Sequence, residues 1–200
     1  MNPPAVLLVF TVAQAMWAEQ YSARARGGCC RGLRYNRTMP VKGAVQIRKV
    51  RAGDLQRVLA LERVTFPEGP YTRAMFRELH RDCGGLFFVA VRLRRIVGYM
   101  VTCVDMAQAE IVSIGVDPKC QKMGTGTRLM EHTLATIEKR GIGRMELTVR
   151  TTNKDGVRFY RRFGFRSVGR IHRYYEDGCD AVHMKRMKST GGVGRRRATL

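Results

Sequence analysis

From Val45 onward, apolar and polar positions alternate in short blocks whose periods switch between two and about 3.6, the mark of interleaved strands and helices. Val45–Val50 predicts a short strand. Asp54 is placed to cap a helix with Leu55, Val58 and Leu59 on one face. A second helix is predicted over Thr72–His80, with Met75, Phe76 and Leu79 turned inward. Leu86–Val91 and Ile96–Val104 are apolar runs joined across Arg94-Arg95, most simply an antiparallel hairpin. Ile111–Val116 predicts a further strand. Thr127–Arg140 carries Met130, Leu134 and Ile137 at i, i+4 and i+7, a helix closed by Gly141. Met145–Arg150 predicts a strand, Gly156–Phe163 a short helix ending at Gly164, and Phe165–Arg170 a strand. Glu176-Asp177-Gly178 turns the chain into a last strand, Ala181–Arg186. The expected class is mixed α/β (α+β), with a mostly antiparallel central sheet flanked by helices and no internal repeat.

The ends read differently. Residues 1–40 open with the apolar run Ala5–Trp17, followed by Gly27-Gly28-Cys29-Cys30. A secretory signal would show this apolar stretch and the small residues Ala13, Ala15 and Ala18, but no Lys or Arg precedes it. Thirteen residues are too few to span a bilayer as a helix. The favoured expectation is a natural start at Met39, so that 1–40 is a non-conforming extension, 41–188 the domain, and 189–200 a basic disordered tail.

Charge changes the picture of partners more than of fold. The chain carries a net +21, of which +14 falls within residues 41–188, with 29 basic and 15 acidic side chains. Such a field favours anionic partners, nucleic acid only non-specifically among them, and names none. It is equally what an Arg-rich surface gives. The six Cys (29, 30, 83, 103, 120, 179) have no metal spacing, and the four His are dispersed, so no metal is expected. The scattered cysteines suit reduced core thiols in a cytoplasmic protein better than a disulfide framework.

One segment carries ligand chemistry. The loop Asp117–Gly126 leads into the helix near Thr125–Thr127, whose unpaired N–H groups point back at the loop. Gly124 and Gly126 leave room for a phosphate there, and the helix dipole favours one. Lys122 and Arg128 add positive charge. Neither the Walker spacing nor Gly-x-Gly-x-x-Gly is present.

Val116-Asp117-Pro118 followed by Gln121-Lys122-Met123-Gly124-Thr125-Gly126 and an amphipathic helix resembles the signature of the GNAT superfamily of N-acetyltransferases. The likeness continues through Leu147-Thr148-Val149-Arg150, Asn153 and Phe159-Tyr160-Arg161-Arg162-Phe163-Gly164-Phe165, covering about residues 45–187. Phe66-Pro67-Glu68 and Tyr174-Tyr175-Glu176-Asp177-Gly178-Cys179-Asp180-Ala181 resemble the branch that acetylates protein N-termini, the ribosomal-protein alanine N-acetyltransferases among them. The resemblance implies a sheet splayed into a V, with acetyl-coenzyme A between Ile111–Val116 and Met145–Val149. It assigns Ile114, Gly115 and Val116 to the pantetheine arm, and Gln121, Lys122, Met123, Gly124, Thr125, Gly126, Thr127 and Asn153 to the cofactor. Asn153 is also expected to cap the helix that carries Tyr160, and capping alone would account for it. No membrane association is implied.

By the same resemblance Tyr160 is the acid that protonates the departing thiolate; the plain alternative is a ring packed beside Phe159 and Phe163. The base is less direct. Bacterial relatives place a Glu where this chain has Thr148, which cannot take a proton. Two carboxylates then stand as candidates, first Glu68 and then Glu110, each of which could instead be a solvated surface group. Phe66, Glu68, Tyr174 and Tyr175 are expected at the acceptor cleft. The acceptor implied is the α-amine of a protein, a ribosomal protein among the options. A lysine side chain or small amine is the alternative, and a silent fold that binds ribosome or RNA by charge is the alternative of another class.

Overall fold

In the computed structural model, residues 44–67 and 69–187 are described. The expectations for residues 1–40, for 189–200 and for Glu68 lie outside the described residues. The chain order is β1 (Gln46–Lys49), α1 (Leu55–Thr65), α2 (Arg73–Cys83), β2 (Phe87–Arg92), β3 (Arg95–Asp105) and β4 (Gln108–Val116). It continues with α3 (Thr125–Lys139), β5 (Arg144–Arg150), α4 (Lys154–Arg162), β6 (Arg166–Ile171) and β7 (Ala181–Met187). The strands form one sheet in the order β1-β2-β3-β4-β5-β7-β6. All pairs are antiparallel except β4 with β5, which run parallel.

The alternation read from the sequence sorts into two cores, one on each face of this sheet. On one face α3 and α4 cover Phe88, Met100, Ala109, Ile111, Met145, Leu147, Val149 and Met184. Met130, Leu134 and Ile137 all point into that core, as their spacing predicts. On the other face α1 and α2 bring Val58, Leu59, Leu61, Phe76 and Leu79 onto Phe87, Val89, Tyr99 and Val101. Burying two such layers supplies the main driving force for the fold, at about 25 cal/mol per Å² of apolar surface.

Local chemistry sets most boundaries. Thr72 caps α2 by accepting from the Met75 N–H (3.3 Å), and Asn153 caps α4 by accepting from Gly156 (2.8 Å). Gly141 and Gly164 follow α3 and α4 at positive φ (75° and 84°), as glycine-closed ends require.

Two expectations are corrected. Asp54 does not cap α1 with its side chain. It closes a short 3-10 turn (Ala52–Asp54), where its carboxylate accepts from the Arg51 N–H (2.8 Å) and from Arg48 (2.6 Å). The strong partner is the guanidinium of Arg48, six residues earlier in β1, which the turn folds back onto the carboxylate. Cys83 and Cys103 are not separate thiols either: a disulfide joins them, with Cα atoms 4.9 Å apart. Twenty residues separate them in sequence, and only the packing of the end of α2 against β3 brings them together. Cys120 and Cys179 are free.

Candidate active site

The site is built where β4 and β5 part. Their register runs from Gln108↔Arg144 to Ile111↔Leu147 and then stops, although β4 continues to Val116 and β5 to Arg150. A bulge in β4 at Val112, seen as the register slip between Val101↔Ser113 and Thr102↔Ile111, coincides with the parting. Beyond it Ile114, Gly115 and Val116 pair with Met100, Tyr99 and Gly98 of β3 on one side and with no residue of β5 on the other. A strand edge left open within a sheet is a place for an extended ligand to pair.

The phosphate-type loop follows directly. Asp117 turns the chain by accepting from the Lys119 N–H (2.8 Å), and Gln121 donates to the Val116 carbonyl (3.1 Å). Lys122 and Gly124 both sit at positive φ (58° and 83°). Gly124 is the N-cap of α3 and provides no side chain to cap it. The first N–H groups of α3, at Thr125, Gly126 and Thr127, are therefore open to an incoming acceptor. Gly124 is needed for its left-handed backbone. At Gly126 an added Cβ would come to ordinary contact with Phe159 (3.6 Å) and Val116 (3.7 Å), so space there is bounded by side chains rather than left empty. Arg128, read as free charge beside the loop, instead donates to the Val45 carbonyl (3.0 Å). Asn153 caps α4 as expected, by accepting from the Gly156 N–H (2.8 Å), and it lies so close to Gly156 that any side chain at 156 would collide with it.

Tyr160 stands on α4 in the core that holds Val149 and Met184, packed edge-on against Phe159 (5.4 Å) and Phe165 (5.9 Å). Burial first, and the nearby Tyr175 phenol second, hold its hydroxyl above the usual phenol range. It therefore stays protonated through neutral pH. Tyr174 and Tyr175 begin the Tyr174–Asp180 part of the β6–β7 connection and stack edge-on at 5.0 Å. Arg150 pins that connection to the end of β5: its guanidinium lies 4.0 Å over the Tyr175 ring and bonds Asp177 at 2.6 Å. Gly178, at φ 76°, makes the turn that Glu176-Asp177-Gly178 predicts.

Of the two candidate bases, Glu110 lies two residues before the bulge, its backbone registered with Glu146 of β5. Burial, and next the like charge of Glu146, push its carboxyl up to about 7. Glu68 lies outside the described residues, whereas Phe66 ends α1 through its N–H to the Glu62 carbonyl (2.8 Å). Thr148 faces His183 across β5 and β7.

Sequence reasoning passed over Glu62 and Tyr71. Glu62 is 2% exposed, and its carboxylate accepts from the Tyr99 hydroxyl and from the Tyr71 N–H (3.0 Å). Burial raises its proton affinity against the pull of those two bonds. Tyr99 also bonds the Ser113 hydroxyl (2.8 Å), and its ring lies so close to Gly115 that a Cβ there would stand 2.5 Å from it. Glu62 thus braces, through Tyr99, the open stretch of β4. Tyr71 is half-buried; burial, then Glu62, Tyr174, Glu110 and Tyr175, raise its phenol, which places it among both carboxylates and the loop tyrosines. The available signals were a charge on the apolar face of α1 and a tyrosine in a Pro-Gly turn between two helices.

Glu62→Ala strands the Tyr71 N–H and one Tyr99 contact, for a loss of about 2 kcal/mol, or a melting point lower by about 4–8 °C. Glu62→Gln keeps the shape without a charge and is expected to lose less than half of that. Thermal unfolding of the two variants checks this; equal losses would mean that the ionised carboxylate is what matters.

Residues 55–165 match the Acetyltransferase (GNAT) family. The N-alpha-acetyltransferase of Sulfolobus acidocaldarius is 30% identical over 152 residues, spanning 70% of this chain and 90% of that protein. The crystal structure of Ard1 from Thermoplasma volcanium superposes with a TM-score of 0.69 at 29% identity, over 72% of this chain and 98% of that one. The ribosomal-protein-S18-alanine N-acetyltransferase of Escherichia coli gives a TM-score of 0.67 at 25% identity, over 76% and 99% of the two chains. A sheet parted at β4 and β5, a glycine-led helix N-terminus beside it and a sequence match over more than half its length make this chain a member of the GNAT acetyltransferase family.

Proposed function

We propose that the chain transfers an acetyl group from acetyl-coenzyme A to the N-terminal α-amine of a protein, a ribosomal protein among the candidate acceptors. The observation that carries this reading is the convergence of Glu110, Tyr71, Tyr174 and Tyr175 around the parting of β4 and β5. A row of phenols beside a strand edge suits an extended peptide better than a small amine, because each ring offers apolar area and one donor. The relatives named above, which act on protein N-termini, support the same acceptor class.

The donor supplies its acetyl group as a thioester. The open edge at Ile114, Gly115 and Val116 holds its extended arm, and the α3 N-terminus from Gln121 to Thr127 holds its pyrophosphate. Glu110 takes the proton of the attacking amine, and its proton affinity near neutrality matches that task. As the new N–C bond forms and the C–S bond breaks, Tyr160 gives its proton to the departing sulfur. Glu68 and Phe66 are assigned to the entrance of the peptide cleft, on the likeness of Phe-Pro-Glu alone.

Incubation with acetyl-coenzyme A and a library of peptides with free N-termini, beside a panel of lysine-bearing blocked peptides and small amines, tests the reading. Acetylation of free N-termini is the expected result. Acetylation confined to the panel would replace the acceptor, and transfer to neither, with RNA bound in a salt-sensitive way, would make the chain a binding module.

A further inference from the structure

Glu110 does not stand alone on its face of the sheet. Parallel register sets it beside Glu146 of β5. On its far side, Glu146 is held by two groups of β7: His183 Nε2 lies 3.0 Å from its carboxylate and Lys185 Nζ 3.3 Å. Three adjacent strands thus present a lateral row of Glu110, Glu146 and the His183–Lys185 pair. Glu146 is tied to cationic or hydrogen-bonding partners on one side and confronts a second carboxylate on the other. Lys185 and the imidazole hold the Glu146 carboxylate in place from the β7 side. An anion fixed one strand away from a half-buried carboxyl favours that carboxyl's protonated form.

We propose that Glu146, clamped by His183 and Lys185, is a charge-setting, positioning residue for Glu110, and so sets the lowest pH at which the site works. The inference rests on Glu110 being the base. Other groups share the neighbourhood. Tyr71 approaches from the segment before α2, Glu62 from α1 sits behind Tyr71 and Tyr99, and Asp105 shares Glu110's face of β3 and β4 through its register with Gln108. The tyrosines are uncharged at neutral pH, and the Glu62 carboxylate has its own two donors. Glu146 is the group whose charge reaches Glu110 most strongly among them.

The role has a two-sided signature. Glu146→Gln removes the facing anion, so Glu110 loses its proton more readily and the acid limb of kcat/KM moves to lower pH, by roughly half a unit to one unit. Lys185→Gln removes a cation that offsets Glu146, so the limb moves the other way, by a few tenths of a unit. In the double variant the effect of Lys185→Gln shrinks towards zero, because its partner is gone. A carbon-13 titration of the Glu110 carboxyl in the full chain, wild type and Glu146→Gln, reads the same shift without any activity. Loss of rate or of melting temperature with an unmoved limb and an unmoved carboxyl titration would overturn the proposal and leave Glu146 a structural residue. If Glu110→Gln itself retains the acid limb, the reading of Glu110 as base fails instead, and the two failures are told apart.

Discussion

Tyr160→Phe lowers kcat about 10²- to 10⁴-fold and leaves acetyl-coenzyme A binding within about threefold, the span that loss of one positioned acid produces. The substitution is clean. Phe preserves the ring contacts with Phe159 and Phe165 and removes only the hydroxyl. Among the described residues that hydroxyl makes no hydrogen bond, so the fold loses little; the melting temperature is expected within about 2 °C of wild type. Steady-state kinetics beside calorimetric titration of the donor separate the outcomes. Unchanged turnover with unchanged binding would reduce Tyr160 to a packing residue, the alternative its aromatic neighbours leave open.

Glu110→Gln is expected to act in opposite directions on rate and on stability. The rate falls about 10²- to 10⁴-fold for want of a base, and the acid limb near pH 7 disappears from what remains. Stability rises at alkaline pH. The folded carboxyl titrates near 7, above its ordinary value of 4.5, so folding favours the protonated form. That contribution is complete below about pH 4.5 and is lost as pH climbs through 7. Glutamine never carries the charge. Allowing for the partial solvent access of the site, the variant is expected to exceed wild type by about 2 kcal/mol at pH 8 and to converge with it near pH 4.5. Thermal melts across that range, beside kcat/KM profiles, check both arms. If Glu110→Gln keeps its rate and Glu68→Gln abolishes it, the base is Glu68.

These expectations also show how charge and packing divide the work. Gly124 and the helix N-terminus act through backbone geometry alone, and their chemistry is visible wherever the glycine stands before an amphipathic helix. Glu110 is different. In a linear reading it is one acidic residue opening an apolar run, and its raised proton affinity comes first from burial in the packed sheet and next from Glu146, a residue thirty-six positions away that parallel pairing sets beside it.

What the sequence by itself determined is therefore what depends on neighbours along the chain. The periods of Met130, Leu134 and Ile137 defined α3, the Leu86–Val104 hairpin was legible from two apolar runs, and Asn153 and Gly164 bounded α4. The ligand loop was legible for the same reason, since a helix N-terminus and its glycines are consecutive. Only the tertiary structure decided what depends on residues far apart. It joined Cys83 to Cys103 and buried Glu62 under Tyr99 and Tyr71. It also stopped the pairing of β4 with β5 after Ile111, which opens the site. Burial and cross-strand charge are properties of the packed sheet, and they turn an ordinary Glu110 into one poised near neutrality.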